Sequence, residues 1–138
     1  MNPNQQSALD RLRAAYPEKF VAEERIFANV RPGDRIFVGT ACAEPQHLLR
    51  ELTSYIRRNP KAIFDAEVVQ VWTLGVAPYA DDTLRPHMRY NSFFIGNNTR
   101  SLVNRGLADY TPIFLSQVPR LLQRRLVPID VALVQVSP

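Results

Sequence analysis

The two runs Val68-Val69-Gln70-Val71-Trp72 and Val131-Ala132-Leu133-Val134 constrain the fold of this chain more than any other feature. They are nearly continuous in apolar character, and a strand without a polar alternate face is suited to burial on both sides. The segments between them read as helices. Residues 22–30 predict a short helix burying Ile26, Phe27 and Val30, stopped by Pro32-Gly33-Asp34, because proline cannot continue a helix and glycine permits a tight turn. Residues 35–38 then predict a strand, and residues 46–58 a helix entered through Pro45 at its first position. Further strands are expected at 66–72, 92–95 and 130–136, and helices at 99–105 and 117–126. Helices alternating with strands predict an α/β fold, a mostly parallel sheet flanked by helices.

The chain divides into a peripheral amino-terminal helix over 1–17, with Ala8, Leu9, Leu12 and Ala15 at helical spacing before Pro17, and an α/β domain over 18–138. At 138 residues and 46% hydrophobic composition it is long enough for one buried core. No stretch approaches the apolar length of a membrane span and no signal segment opens the sequence, so the expected location is cytoplasmic. Cys42 is the only cysteine and His47 and His87 the only histidines, which excludes an internal disulfide and leaves no recognisable metal-ligand spacing. No metal is expected. All but two of the 17 basic residues are arginine, in singles and pairs such as Arg57-Arg58 and Arg124-Arg125. With a net charge of +4 they raise the alternative of a stand-alone basic binding module for nucleic acid or a protein partner. Their scatter reads instead as solvated helix faces, which disfavours nucleic acid.

Parallel sheets bind ligands beyond the carboxyl ends of their strands, so the loops that follow each strand are the candidate site. Three loops qualify: Gly39 to Pro45 after the first strand, Thr73 to Tyr79 after the second, and Gly96 to Arg100 after the third, with Asn98 or Thr99 as a helix cap. None carries the glycine pattern of a dinucleotide site or a P-loop. Glu44 is the carboxylate best placed to enter a site, or else a favourable charge at a helix amino terminus. Cys42 has no histidine placed to activate it and reads as a buried, inert thiol; His47, in the first turn of a helix, reads as solvent-facing. A small enzyme using Cys42 or Glu44 on its own remains a third alternative.

Taken together, Arg31-Pro-Gly-Asp-Arg-Ile-Phe-Val-Gly-Thr40, Ala43-Glu-Pro-Gln-His-Leu48, Trp72-Thr-Leu-Gly-Val-Ala-Pro-Tyr79, Ser92-Phe-Phe-Ile-Gly96 and Asn104-Arg-Gly-Leu-Ala-Asp-Tyr-Thr-Pro-Ile-Phe-Leu-Ser116 resemble the amino-terminal domain of the acetyl-CoA hydrolase/transferase family. The ending Pro128-Ile-Asp-Val-Ala-Leu-Val-Gln-Val-Ser-Pro138 belongs to the same resemblance, which is closest to the subgroup fused to an acetyltransferase domain. The resemblance implies a CoA-transferase-like fold of Rossmann-type layers and, because the last strand runs to the end of the sequence, a truncated half of a two-domain enzyme. It implies acyl-CoA and a small carboxylate as substrates, with coenzyme A the group carried. The implied chemistry is attack of a glutamate on the thioester and passage through a glutamyl-CoA thioester. In the family that glutamate lies in the carboxy-terminal half, so this chain would be inactive alone, and neither Glu44 nor Glu51 matches its motif. By position, Gly39, Thr40, Ala41 and Glu44 would line the site, with Thr73, Leu74, Gly75, Asn97, Asn98 and Thr99 behind them. The family's loop after the first strand is richer in glycine than Thr40-Ala41-Cys42. A missing carboxy-terminal domain would also leave an exposed docking face through which the chain could form a homodimer.

Overall fold

The computed structural model describes residues 3–75 and 77–136. After α1 (Pro3–Ala15) and α2 (Glu23–Phe27), the chain forms β1 (Arg35–Val38), α3 (Gln46–Arg58), β2 (Ala66–Gln70), β3 (Met88–Ser92), α4 (Arg100–Asn104), β4 (Asp109–Tyr110), α5 (Val118–Gln123) and β5 (Val131–Leu133). The five strands make one sheet in the order β4-β3-β2-β1-β5, and every neighbouring pair is parallel. The chain walks outward from β1 to β4 and then returns to place β5 on the other side of β1. The strand order therefore reverses between β1 and β5, the kind of place where open α/β sheets bind ligands.

The two faces are built differently. On one, Ile36, Val38, Val68, Met88, Tyr90 and Leu133 pack against Phe27 and Val30 from α2 and the turn after it, and Leu49, Leu52 and Ile56 from α3. The α3 residues recur at helical spacing, and that periodicity is why this segment is a helix and why its apolar side faces the sheet. The turn before β1 holds Gly33 at φ 82°, where a side chain would be strained, and Asp34 Oδ2 accepts from the Arg31 N–H at 2.8 Å. On the other face a smaller cluster of Val69, Phe93 and Val118 is covered by α5 and residues 113–129. This face also carries a polar row: Arg35 Nε donates to Glu67, which accepts at 3.1 Å from Asn91, whose Oδ1 accepts at 2.9 Å from Thr111.

Several expectations shift. The third strand is 88–92, not 92–95, because its polar residues Arg89 and Asn91 point to the less covered face while Met88, Tyr90 and Ser92 are buried. Apolarity drew the expectation downstream to Phe93, Phe94 and Ile95, where the chain bends away; Phe93 and Phe94 still donate to Gln70 and Val71 at 3.0 and 2.8 Å. The short strand β4 was not foreseen. The last strand contracts from 130–136 to Val131–Leu133, and as an edge strand it is not covered on both sides, leaving Val134 53% exposed. Pro45 caps α3 instead of beginning it. The expected amino-terminal helix is present, and Leu12 remains 44% exposed.

Candidate functional site

The loops after β1, β2 and β3 meet at the carboxyl ends of the sheet, and hydrogen bonds lace them together. After β1 the chain can turn only because Gly39 lacks a side chain: a Cβ there would lie 2.6 Å from the Ala43 carbonyl oxygen. Ala41 follows at φ 51°, a left-handed conformation that costs a residue with a Cβ about 1 kcal/mol, and starts a short turn over Ala41–Ala43. Glycine, which the family resemblance favours in this loop, would adopt that conformation without strain. The turn swings Cys42 outward, so the thiol is exposed and the expectation of a buried one is wrong.

Glu44 follows the turn and is 3% exposed. Its carboxylate does not serve the α3 amino terminus. It reaches the second loop, accepting from the Thr73 hydroxyl at 2.8 Å and from the Leu74 and Gly75 N–H groups at 3.2 and 3.1 Å. A buried carboxylate is tolerable only with such partners. Gly75 lies close against the Gln46 side-chain amide, which would have to move aside for a Cβ at this position. The third loop joins through Asn98, whose amide donates to the Gly75 carbonyl at 2.9 Å, and through Gly96, where a Cβ would stand 2.8 Å from the Thr73 carbonyl. Thr40 ties the first loop to the second: its hydroxyl donates to the Trp72 carbonyl and accepts from the Trp72 N–H at 2.8 Å.

Of the ten anticipated residues, the structure gathers Gly39, Thr40, Ala41, Glu44, Thr73, Leu74, Gly75 and Asn98 into this network. Asn97 is exposed and stands apart. Thr99 is fully buried; it occupies the cap of α4, yet its hydroxyl turns back to the Gly96 carbonyl at 3.5 Å instead of accepting from the helix. His47 is exposed and pairs with Glu23 at 3.1 Å, which holds the Glu23 carboxyl below its ordinary value.

Beside the network, on the less covered side of the sheet, lies an apolar groove of about 500 Å³ lined by Thr40, Ala41, Val71, Trp72, Phe94, Ile95 and Leu115. Five of its seven lining residues were missed as site residues, and the signal was available in the aromatic side chains at two strand ends, Trp72 and Phe94. A larger cavity of about 570 Å³, bordered by Arg85, Met88, Arg89 and Asp109, lies at the opposite, amino-terminal ends of β3 and β4, where parallel sheets do not build sites. Two buried residues behind the loops were also missed. Gln70 is fully buried between Tyr79 and Gly39, and Tyr79 stacks on Tyr90 with ring centroids 4.5 Å apart. Burial is the main cause that raises both phenol groups above their ordinary values.

Among the described residues no group of three or more histidine, cysteine, aspartate or glutamate side chains is placed to hold a metal, and no helix is long and apolar enough to cross a membrane. Three of the exposed arginines stand in ion pairs, Arg57 with Asp81 at 2.6 Å, Arg58 with Glu24 at 2.9 Å and Arg105 with Asp82 at 3.2 Å.

Known proteins resemble this chain in sequence and in fold. The chain is 35% identical over 122 residues to the 4-hydroxybutyrate coenzyme A transferase of Clostridium kluyveri, covering 88% of this chain and 28% of that protein. It is 36% identical over 115 residues to the succinyl-CoA:acetate/propanoyl-CoA:succinate CoA transferase of Fasciola hepatica, covering 83% of this chain and 23% of that one. The crystal structure of RipA from Yersinia pestis superposes with a TM-score of 0.80 at 29% identity, over 92% of this chain and 31% of that chain. The chain thus spans less than a third of the length of these relatives. The sequence pattern described as the acetyl-CoA hydrolase/transferase N-terminal domain matches residues 1–138, and the chain belongs to that family as its amino-terminal domain.

Proposed function

We propose that this chain is the amino-terminal, substrate-binding half of an acyl-CoA:carboxylate CoA-transferase or acetyl-CoA hydrolase whose nucleophilic glutamate is supplied by a carboxy-terminal half. In that reaction the glutamate attacks the thioester carbonyl and expels CoA thiolate, leaving a mixed anhydride. The thiolate returns to the glutamyl carbonyl and releases the carboxylate. The resulting glutamyl-CoA is then resolved by an acceptor carboxylate or by water. Splitting one transfer into these steps lowers each barrier, and every tetrahedral intermediate calls for fixed N–H donors.

The observation that carries the reading is the apolar groove at the carboxyl ends of the strands, bordered by Trp72, Phe94 and Leu115 and free of charged lining residues. It suits a short acyl chain. The phosphates of coenzyme A would have to be held elsewhere. Glu44 supports the division of labour: both its oxygens already accept hydrogen bonds and it is buried, so it braces the second loop and is not free to attack a thioester. The carboxy-terminal half would dock on the less covered face, where Phe114 is 76% and Leu126 68% exposed, and in its absence the same face would favour self-association of this chain.

The test is release of CoA thiol from acetyl-CoA and butyryl-CoA, with and without acetate, by this chain alone and by this chain joined to the remaining three quarters of the Clostridium kluyveri relative. Turnover only in the joined protein is expected. Turnover of similar size by the chain alone would overturn the proposal and direct attention to Glu44 and Cys42.

A further inference from the structure

Thr40 borders the groove, and all but one of its polar groups are engaged. Its hydroxyl bonds both the carbonyl and the N–H of Trp72, and its carbonyl accepts from Ala43 at 3.0 Å. Its neighbours in the chain are satisfied too: the Gly39 N–H donates to Leu133 at 2.9 Å and the Ala41 N–H to Trp72 at 3.1 Å. The Thr40 N–H alone has no acceptor among the described residues. A backbone donor left open in this way, between two that are bonded, is satisfied by water or by a ligand.

The direction of that N–H is set from below. Peptide planarity makes the Thr40 N–H antiparallel to the Gly39 carbonyl. The Gly39 carbonyl accepts from the Gln70 side-chain amide at 3.0 Å, and Gln70 projects from the sheet face covered by α2 and α3. The N–H therefore points away from Gln70 and from that face, toward the side of the sheet on which the groove lies. Gln70 is itself held in one orientation. A carbonyl can only accept, so the NH₂ of Gln70 faces Gly39 and its Oε1 faces Tyr79, whose hydroxyl must then donate, across 2.5 Å. Tyr90, stacked on Tyr79, supplies an internal control, because its own hydroxyl is buried without a partner.

We infer that Tyr79, Gln70 and Gly39 form a positioning relay that aims the Thr40 N–H at an oxygen of a short aliphatic carboxylate, or of the corresponding acyl group, seated in the groove. The inference rests on the proposed function above and deepens it by assigning the donor. Neither Tyr79 nor Gln70 touches the ligand; they act through the peptide plane between Gly39 and Thr40. Because burial holds the Tyr79 phenol above its ordinary value, the donor end of the relay keeps its proton across the neutral range.

The experiment is an amide NMR titration of the whole chain with sodium butyrate, comparing the parent with Gln70→Met, Tyr79→Phe and Tyr90→Phe. In the parent, butyrate should shift the Thr40 amide proton downfield and saturably. Weakening one hydrogen bond to a charged acceptor should raise the butyrate dissociation constant about tenfold in Gln70→Met and about threefold in Tyr79→Phe. Tyr90→Phe, which removes a hydroxyl that bonds nothing, should leave it unchanged. Tyr79→Phe keeps the ring and its stacking, so it decides the matter if Gln70→Met fails to fold. Unchanged affinity in the relay variants, an equal loss in Tyr90→Phe, or shifts at Trp72 and Phe94 with none at Thr40 would overturn the relay while leaving the groove as a carboxylate site. No butyrate-dependent shift at any of these amides would overturn the groove reading and the relay together.

Discussion

The two faces of the sheet differ in how completely the chain covers them. The face under α2 and α3 is a closed core in which Ile36, Val38, Leu49, Leu52, Ile56 and Val68 are at most 1% exposed. The opposite face buries Val69, Phe93 and Val118 but leaves Phe114, Leu115 and Leu126 more than half exposed. It also spends area on the polar row from Arg35 to Thr111, which contributes hydrogen bonds and not hydrophobic burial. The closed face thus holds the sheet, and the open face presents the apolar groove. The three site loops lie between them, with Glu44, Thr73 and Gln70 anchored in buried positions while Trp72 and Leu74 reach solvent.

The comparison breaks most easily at its strongest point. Ile56→Ala removes a fully buried side chain from the closed face and should lower unfolding stability by about 3 kcal/mol in urea denaturation. Val118→Ala on the open face should cost about 1 kcal/mol, because its surroundings are thinner and can collapse. Equal losses would mean that both faces are equally closed.

A second contrast uses pH. Tyr79 and Tyr90 belong to the closed core, and burial raises both phenols above their ordinary values. In the unfolded chain they lose protons from about pH 10, while the folded chain retains them. The unfolded state then binds fewer protons, so stability falls as pH rises; the contribution is fully present below the unfolded value and is lost as pH climbs toward the folded one. The decline should reach at most about 1.4 kcal/mol per pH unit for each of these tyrosines. Denaturation at pH 9 and pH 11 measures it, and Tyr79→Phe should flatten the slope. An identical slope in that variant would place Tyr79 outside the closed core.

The closed face was legible in the sequence because its signals are local. Leu49, Leu52 and Ile56 recur at helical spacing, the Val68-Val69 run marks a central strand, and Pro32-Gly33-Asp34 marks the turn before β1. The open face was not, because its order comes from pairing at a distance. Arg89 and Asn91 look unlike strand residues until Glu67 and Thr111 are beside them, which is why β3 was expected four residues too late. Glycine and loop position identified eight members of the loop network, yet the groove's apolar wall was read as strand, at Val71, Trp72, Phe94 and Ile95. Gln70 carried a readable clue. A lone polar residue within an apolar run has to find buried partners, and its partners turned out to be the loop and the tyrosine that shape the site.

The smallest expected effect tests the open face directly. Phe114 and Leu126 are 76% and 68% exposed, so replacing both with serine gives up little burial within this chain. Unfolding stability should change by less than about 0.5 kcal/mol, the range of surface substitutions away from special features. If those side chains are where the carboxy-terminal half docks, the same double variant should weaken that association by about tenfold or more, because exposed aromatic and aliphatic anchors dominate interface energetics. Sedimentation of the chain with the separately expressed carboxy-terminal part of a relative measures the second quantity. A large loss of stability in the chain alone would show that Phe114 and Leu126 already belong to its core; unchanged stability with unchanged association would move the docking surface elsewhere, toward the β5 edge and its exposed Val134 and Val136.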